Sequence, residues 1–338
     1  MAVMNNGKLI VKLAATPVDE LVPEAPKPGG SGGIDYWKGI VTLSENDSVR
    51  NGMERLESHN FLSAPLRTGV TGKDDSHYNY GGFVDMLDLL SFVMSALGEK
   101  RPATMDEVRD RVREAQDAFD NTTLKAFAGV KRRSTAYFPL PEGCSLYPVA
   151  ELLAWSGTHR VPIVKHNSKI SNVITQSMML RYLLNEIPDA LGDLANMPVS
   201  NVDGSKDFET VTAGASAYDV CQLMASKSLD NVAIVSEDGT LEQNFSVKDL
   251  RGLGLDGSHM WRLFLSVDKY KKEQALNEPK YGPRKLVVAK DNDTLRDLLK
   301  KFVEDKVHHV WVCTEDGKPS RCITPSHVLQ ALFKKESD

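Results

Sequence analysis

Four stretches of this chain align on one another without a gap, and that repetition limits the fold more than any other feature. Anchored at Val49, Leu146, Ala217 and Leu295, each is preceded by a hydroxyl residue: Ser48, Ser145, Ser216 and Thr294. Ser and Thr here read as helix N-caps, because their oxygens accept from backbone N–H groups that a first turn leaves free. The helices predicted to follow cover 50–58, 147–155, 218–226 and 296–304, the last with Leu295, Leu298, Leu299 and Phe302 at helical spacing. Thirteen residues past each anchor a short apolar strand begins, at Leu62, His159, Asp230 and His308. In the last three stretches a turn follows, and a second strand ends at a small polar residue, Thr175, Ser246 or Thr324, where a second helix starts. The first stretch reaches the equivalent Asp85 after a seven-residue insertion that fits the polar residues 71–76.

The unit is therefore strand–helix–strand–strand–helix, four times over. One such unit is too small to hold a core of its own. Pairing units sheet against sheet, first with second and third with fourth, supplies one. The charged stretch 106–125 reads as a helix joining the first unit to the second, and 187–204 as the connection between the two pairs. Residues 17–33, ending Pro28-Gly29-Gly30-Ser31-Gly32-Gly33, read as a flexible leader.

Composition excludes several classes. The 338 residues suit two or three domains, and a net charge of −5 gives no basic field of the kind a general nucleic-acid binder needs. The longest apolar run, 83–97, is broken by Asp85 and Asp88, short of the roughly 18 uncharged residues of a membrane helix. The patch Leu9-Ile10-Val11 stops at Lys12, too short for a secretory signal. Cys144, Cys221, Cys313 and Cys322 show neither CxxC spacing nor a paired framework, so neither disulfides nor structural zinc are expected, and a reducing compartment is.

The pattern resembles the cystathionine-β-synthase (CBS) domain, used in tandem pairs called Bateman modules. The likeness is carried by Gly82-Phe83-Val84-Asp85-Met86-Leu87-Asp88, by 159–164 with Ile174-Thr175-Gln176, and by 307–312 with Ile323-Thr324. Four repeats in one chain look most like the γ regulatory subunit of AMP-activated and sucrose-non-fermenting protein kinases. The resemblance implies an α/β fold of four CBS repeats in two Bateman modules, stacked as a flat disk around a central solvent channel. The corresponding boundaries are a leader at 1–33, the first repeat with its connecting helix at 34–127, the second at 128–187, a linker at 188–203, the third at 204–257 and the fourth at 258–338.

The resemblance also implies an adenine-nucleotide ligand, AMP, ADP or ATP, with no metal. In nucleotide-binding CBS domains a hydroxyl residue at the strand–helix junction is followed three positions later by an Asp. The Asp can accept from both ribose hydroxyls, and the hydroxyl with the helix N–H groups suits phosphate. The third repeat has both, Ser246 and Asp249; the first has Asp88 behind Asp85; the second has Thr175 but Met178, and the fourth Thr324 but His327. Asp249 is thus expected to be solvent-accessible, with Asp249→Ala weakening adenylate binding at least about tenfold while barely touching stability. His159 and Arg160, and His308 and His309 at the same places in the fourth repeat, are the phosphate candidates, with His309 where the family usually has Arg. Trp155, Trp261 and Trp311 read as core or interface aromatics, and 269–272 and 334–335 as solvated helix faces.

No nucleophile with an arranged base, no metal-ligand cluster and no kinase motif is present, so a non-catalytic regulator is expected, in the cytoplasm or the nucleus. By resemblance its partners are a protein kinase catalytic subunit and a bridging β-type subunit, with neither nucleic acid nor membrane involved. The alternative is a structural adaptor with degenerate sites that binds proteins without sensing nucleotides.

Overall fold

The caps read from sequence start helices where expected. Ser48, Ser216 and Thr294 each accept a first-turn backbone N–H, Thr294 reciprocally with Asp297, whereas Ser145 holds the cap position without a side-chain bond. The computed structural model describes residues 6–21, 40–59, 61–69, 79–98, 100–128, 137–251, 253, 259–277 and 285–334. The insertion at 71–76 and residues 22–33 of the leader lie outside the described residues.

The four units repeat one layout. The first is β1 (Leu43–Ser44), α2 (Val49–Ser58), β2 (Ser63–Thr68), β3 (Asn79–Asp85) and α3 (Met86–Leu97). The second is β4 (Leu140–Pro141), α6 (Leu146–Trp155), β5 (Arg160–Val164), β6 (Ile170–Thr175) and α7 (Gln176–Asn185). The third is β7 (Thr210–Thr212), α8 (Ala217–Lys227), β8 (Asn231–Val235), β9 (Leu241–Ser246) and a 3-10 turn, Val247–Leu250. The fourth is β10 (Val288–Ala289), α10 (Leu295–Glu304), β11 (Val310–Cys313), β12 (Pro319–Ile323) and α11 (Pro325–Leu332). In each sheet the central strand pairs parallel with the first and antiparallel with the last. Outside the units lie α1 (Gly7–Ala15), α4 (Met105–Asn121), α5 (Leu124–Ala128) and α9 (Val267–Asn277).

The large cores are not where sheet pairing would put them. Helices of the first and third units share one, with Leu89, Val93 and Leu97 against Val220, Cys221 and Met224. Helices of the second and fourth share the other, with Val149 and Leu153 of α6 near Val328, Leu329 and Leu332 of α11. Sheet faces contribute a smaller apolar cluster between the third and fourth units, around Trp311. The reason is in the side chains. The helices carry rows of Leu, Val and Met, while the sheet faces carry Pro65, Asn172 and Asn244, which bury less apolar area.

A second repeat, not seen in the sequence, ties the units together. The N-terminus of each unit's first helix is held by an antiparallel bridge to an outside segment: Pro17 to Ser145, Thr123 to Ser48, Pro198 to Thr294 and Ser266 to Ser216. The first helical N–H donates to that segment each time, Leu146 to Thr16 O (2.9 Å), Val49 to Thr122 O (2.9 Å), Leu295 to Met197 O (2.7 Å) and Ala217 to Leu265 O (2.9 Å). The segment before the first unit therefore clamps the second, and the segment before the third clamps the fourth.

The packing of the segments outside the units bears on several expectations. Residues 6–21 are no flexible leader, since α1 buries Leu9 and Leu13 fully and Val18 follows. Residues 188–203, between the second and third units, are packed, with Leu191, Leu194, Val199 and Val202 nearly inaccessible. Residues 260–277, placed in the fourth repeat by the sequence boundaries, join the core of the first and third units through Leu263, Val267 and Tyr270. Tyr270 also shows that 269–272 is not simply a solvated face.

Candidate functional site

Equivalent junctions of all four units converge on one cavity of about 1880 Å³. Positions thirteen and fourteen past the anchors line it in every unit: Leu62 and Ser63, His159 and Arg160, Asp230 and Asn231, His308 and His309. The second residue of each following helix or turn does so too, as Leu87, Ser177, Lys248 and Ser326. A central strand ending beside a helix start brings two short loops per unit to the same point, and four units multiply this around one space.

The third position of those helices behaves differently. Asp88 and Asp249 are 5% and 4% exposed and are absent from the cavity wall. Each turns back on its own cap: Asp88 accepts from the Asp85 N–H at 3.2 Å, and Asp249 from the Ser246 N–H at 2.7 Å and its hydroxyl at 3.0 Å. Lys271 Nζ stands 3.7 Å from the other oxygen, Asp249 Oδ1, as its ion-pair neighbour. The ribose candidates Asp249 and Asp88 and the phosphate candidate Ser246 thus all lie off the cavity wall, and Asp249 is not solvent-accessible. A carboxylate three residues into a helix can serve either its own cap or a ligand, and here the buried cap takes it. Met178 and His327, which replace the acid, do line the cavity, with Thr175 and Thr324. His327 Nδ1 accepts from the Thr324 N–H at 3.1 Å, an imidazole version of the same cap.

Removing the Asp249 carboxylate strands a buried N–H and leaves Lys271 without its anion. Asp249→Ala should therefore cost about 1–3 kcal/mol of stability and leave nucleotide affinity unchanged. Urea unfolding and a binding titration on one sample test this, and lost affinity at unaltered stability would contradict it.

The basic candidates do come together. His159 and Arg160 of the second unit share the wall with Lys306, His308 and His309 of the fourth and Lys248 of the third. His308 Nε2 lies 3.3 Å from Ser177 Oγ, and Lys248 Nζ donates to the Lys306 carbonyl at 2.8 Å. Burial, then the neighbouring charges of Lys248, His309, Arg160 and His159, hold the His308 pKa well below the usual histidine range. With the His308 imidazole neutral near pH 7, Arg160, Lys248 and Lys306 are the permanent cations grouped around it. Burial also lowers the Arg160 pKa, opposed by the carboxylates of Asp85, Asp230 and Asp88. The Arg160 guanidinium lies 5.9 Å from the centre of the Phe83 ring.

Sequence reasoning missed Lys248, Lys306, Arg181, Arg251 and Asp230, all in the cavity wall. Asp230 had a signal, since it holds the place of His159 and His308 in the repeat. Trp311 is buried between sheets, whereas Trp155 and Trp261 are 55% and 37% exposed and belong to no core. Among the described residues no group of three His, Cys, Asp or Glu is placed to hold a metal, and no helix is long and apolar enough to cross a membrane.

The CBS domain family model matches residues 199–255 and 283–334, the third and fourth units. Across all four units the fold matches the crystal structure of protein MJ1225 from Methanocaldococcus jannaschii, described as an archaeal homolog of g-AMPK. That match has a TM-score of 0.65 at 17% identity, covering 93% of this chain and 99% of that one. An uncharacterized conserved protein from Pyrococcus horikoshii matches with a TM-score of 0.50 at 13% identity, over 87% of this chain and 96% of that one. In sequence the chain is 24% identical over 249 residues to protein sds23/moc1 of Schizosaccharomyces pombe, covering 70% of this chain. It is 24% identical over 277 residues to protein sds23 of Neosartorya fischeri, covering 74% of this chain. The chain spans 58% and 48% of the length of these two relatives.

Proposed function

We propose, from the premise that this chain is a CBS-domain protein of four CBS-type units, that it is a non-catalytic regulatory subunit that binds an adenine nucleotide in its central cavity. The observation that supports this is the meeting of Arg160, Lys248 and Lys306, with His159, His308 and His309, on one cavity from three different units. An anion there touches units that belong to both halves of the chain. Ligand binding then favours whichever arrangement of the halves brings these groups closest, which is what transmission to a partner requires. A protein kinase catalytic subunit with a bridging β-type subunit is the proposed recipient, in keeping with the γ-subunit resemblance, and purification from native lysate with either one attached tests it.

The nucleotide reading is tested on Arg160. A charge-assisted hydrogen bond is worth roughly 1.5–3 kcal/mol, and about 1.4 kcal/mol is tenfold in affinity. Arg160→Ala should weaken ATP and ADP at least about tenfold and adenosine far less, because adenosine has no phosphate to lose. Equal weakening of all three would contradict a phosphate role. Purified protein should turn over no ATP.

A second reading, the adaptor without a ligand, draws on one observation: Asp88 and Asp249 are spent on their own caps. It gains ground if no adenylate binds at millimolar concentration.

A further inference from the structure

One position in the repeat separates the two sheet pairs. Sixteen residues past the anchors stand Pro65, Pro162, Ala233 and Trp311. Their partners across the antiparallel pair are Phe83, Val173, Asn244 and Cys322. Three of the four central-strand residues are small or cyclic, and the fourth carries the largest side chain there is.

Between the third and fourth sheets that indole fills the gap. Trp311 is 1% exposed and packs with Ala233, Val235, Leu241 and Cys322. It meets Phe208 edge-on at 5.1 Å and donates its indole N–H to Asn244 Oδ1 at 2.9 Å. Farther out the hairpins close on each other, with the Leu241 N–H donating to Gly317 O at 3.0 Å. Gly317 has φ +78°, and a Cβ there would stand 3.1 Å from Thr240 Cγ2. In this pair the cavity reaches the strand–helix junctions and, on the sheets, Asn231 and Cys322, while Ala233, Val235, Leu241 and Trp311 are not in its wall.

Between the first and second sheets the same cavity continues outward. Its walls there include Val41, Pro65 and Phe83 from the first unit and Ile170 and Val173 from the second, with Lys165, Lys169 and Asn172 beside them. Ser63 in this wall is 9% exposed, and its hydroxyl has no hydrogen-bond partner among the described residues. At the inner end stands Arg160, beside Phe83. A slot with an aromatic wall, apolar neighbours and polar groups at its rim, ending at a guanidinium, suits a flat ring joined to an anion.

We propose that the chain takes one nucleotide per molecule, in the cleft between the first and second sheets, and that Trp311 has sealed the corresponding place between the third and fourth. The base lies against Phe83, Pro65 and Val173, the phosphates reach Arg160, and the second half of the chain is a closed support. This rests on the nucleotide reading above and adds the number and place of the sites.

Calorimetric titration of the full chain with ATP, ADP and AMP tests it. The expected stoichiometry is one. Val173→Trp, which fills the slot, should weaken binding at least tenfold, and Phe83→Leu, a milder change, should weaken it several-fold; thermal unfolding verifies that both variants are folded. Asn244→Ala, in the closed pair, should leave affinity within twofold. A stoichiometry of two or more, or binding that survives Val173→Trp and Phe83→Leu in folded protein, overturns the single-site proposal and leaves the nucleotide reading standing. Absence of binding by all three nucleotides at millimolar concentration overturns that reading, and this proposal with it.

Discussion

Deleting residues 2–21 should remove most of the stability of the second and fourth units, although this stretch has the look of a dispensable tail. Leu9, Leu13 and Val18 are fully buried and Leu21 is 4% exposed. Burying each such side chain contributes roughly 1.5–3 kcal/mol, so four together are on the order of 6–12 kcal/mol. Whole domains are stable by only about 5–15 kcal/mol. The deletion also removes the clamp on α6, where the Leu146 N–H donates to Thr16 O at 2.9 Å and the Val18 N–H to Cys144 O at 2.8 Å. Leu13→Ala alone should cost about 2–5 kcal/mol. Urea unfolding followed by tryptophan fluorescence measures both. A deleted chain with an unchanged unfolding midpoint would show that α1 is an accessory.

Why the clamp escaped the sequence, while the units did not, is a matter of range. Ser48, Ser216 and Thr294 act on N–H groups two or three residues away, so a cap and its helix are read together. Strand spacing is local too, and it places Arg160, Asn231 and Val310 at strand starts to within two residues of the thirteen-residue mark. The clamp joins Pro17 to Ser145 and Pro198 to Thr294, across about a hundred residues or more. Its local trace is faint: Thr16-Pro17-Val18 and Met197-Pro198-Val199 share a Pro-Val, but Thr122-Thr123-Leu124 and Leu265-Ser266-Val267 do not. Three backbone hydrogen-bond positions impose almost no side-chain identity, so the pattern is visible only in space.

The site divides in the same way. That His159, Arg160, His308 and His309 share one cavity follows from their shared register, and the repeat alignment contains it. That Asp249 serves the Ser246 N–H and faces Lys271 does not, because the motif is identical whether the carboxylate meets a cap or a ribose. The discriminating residue is Lys271, 22 positions downstream in α9, which no reading of the junction alone would include. Charge balance was hidden similarly. The cavity holds Asp85 and Asp230 opposite Arg160, so the centre is a mixed field in which an incoming phosphate competes with resident carboxylates.

Trp311→Ala should be the most damaging single substitution in the second sheet pair. The side chain is 1% exposed and its volume is enclosed by residues of two units. Trp→Ala in a core typically costs about 3–5 kcal/mol, from lost transfer energy and from a cavity that its surroundings fill only partly. Here collapse is hindered, because the two hairpins are already joined by the Leu241 N–H to Gly317 O bond and cannot easily approach further. The Asn244 carboxamide loses its indole donor as well, although Asn231 Nδ2, 3.1 Å away, still satisfies its oxygen. Trp311→Phe keeps most of the volume and removes the N–H and part of the ring system, so it should cost less than Trp311→Ala, about 1–3 kcal/mol. Chemical denaturation of the two variants side by side separates volume from hydrogen bond. Equal losses would assign the effect to the Asn244 contact, and a Trp311→Ala protein as stable as the parent would mean that the third and fourth sheets are held together elsewhere.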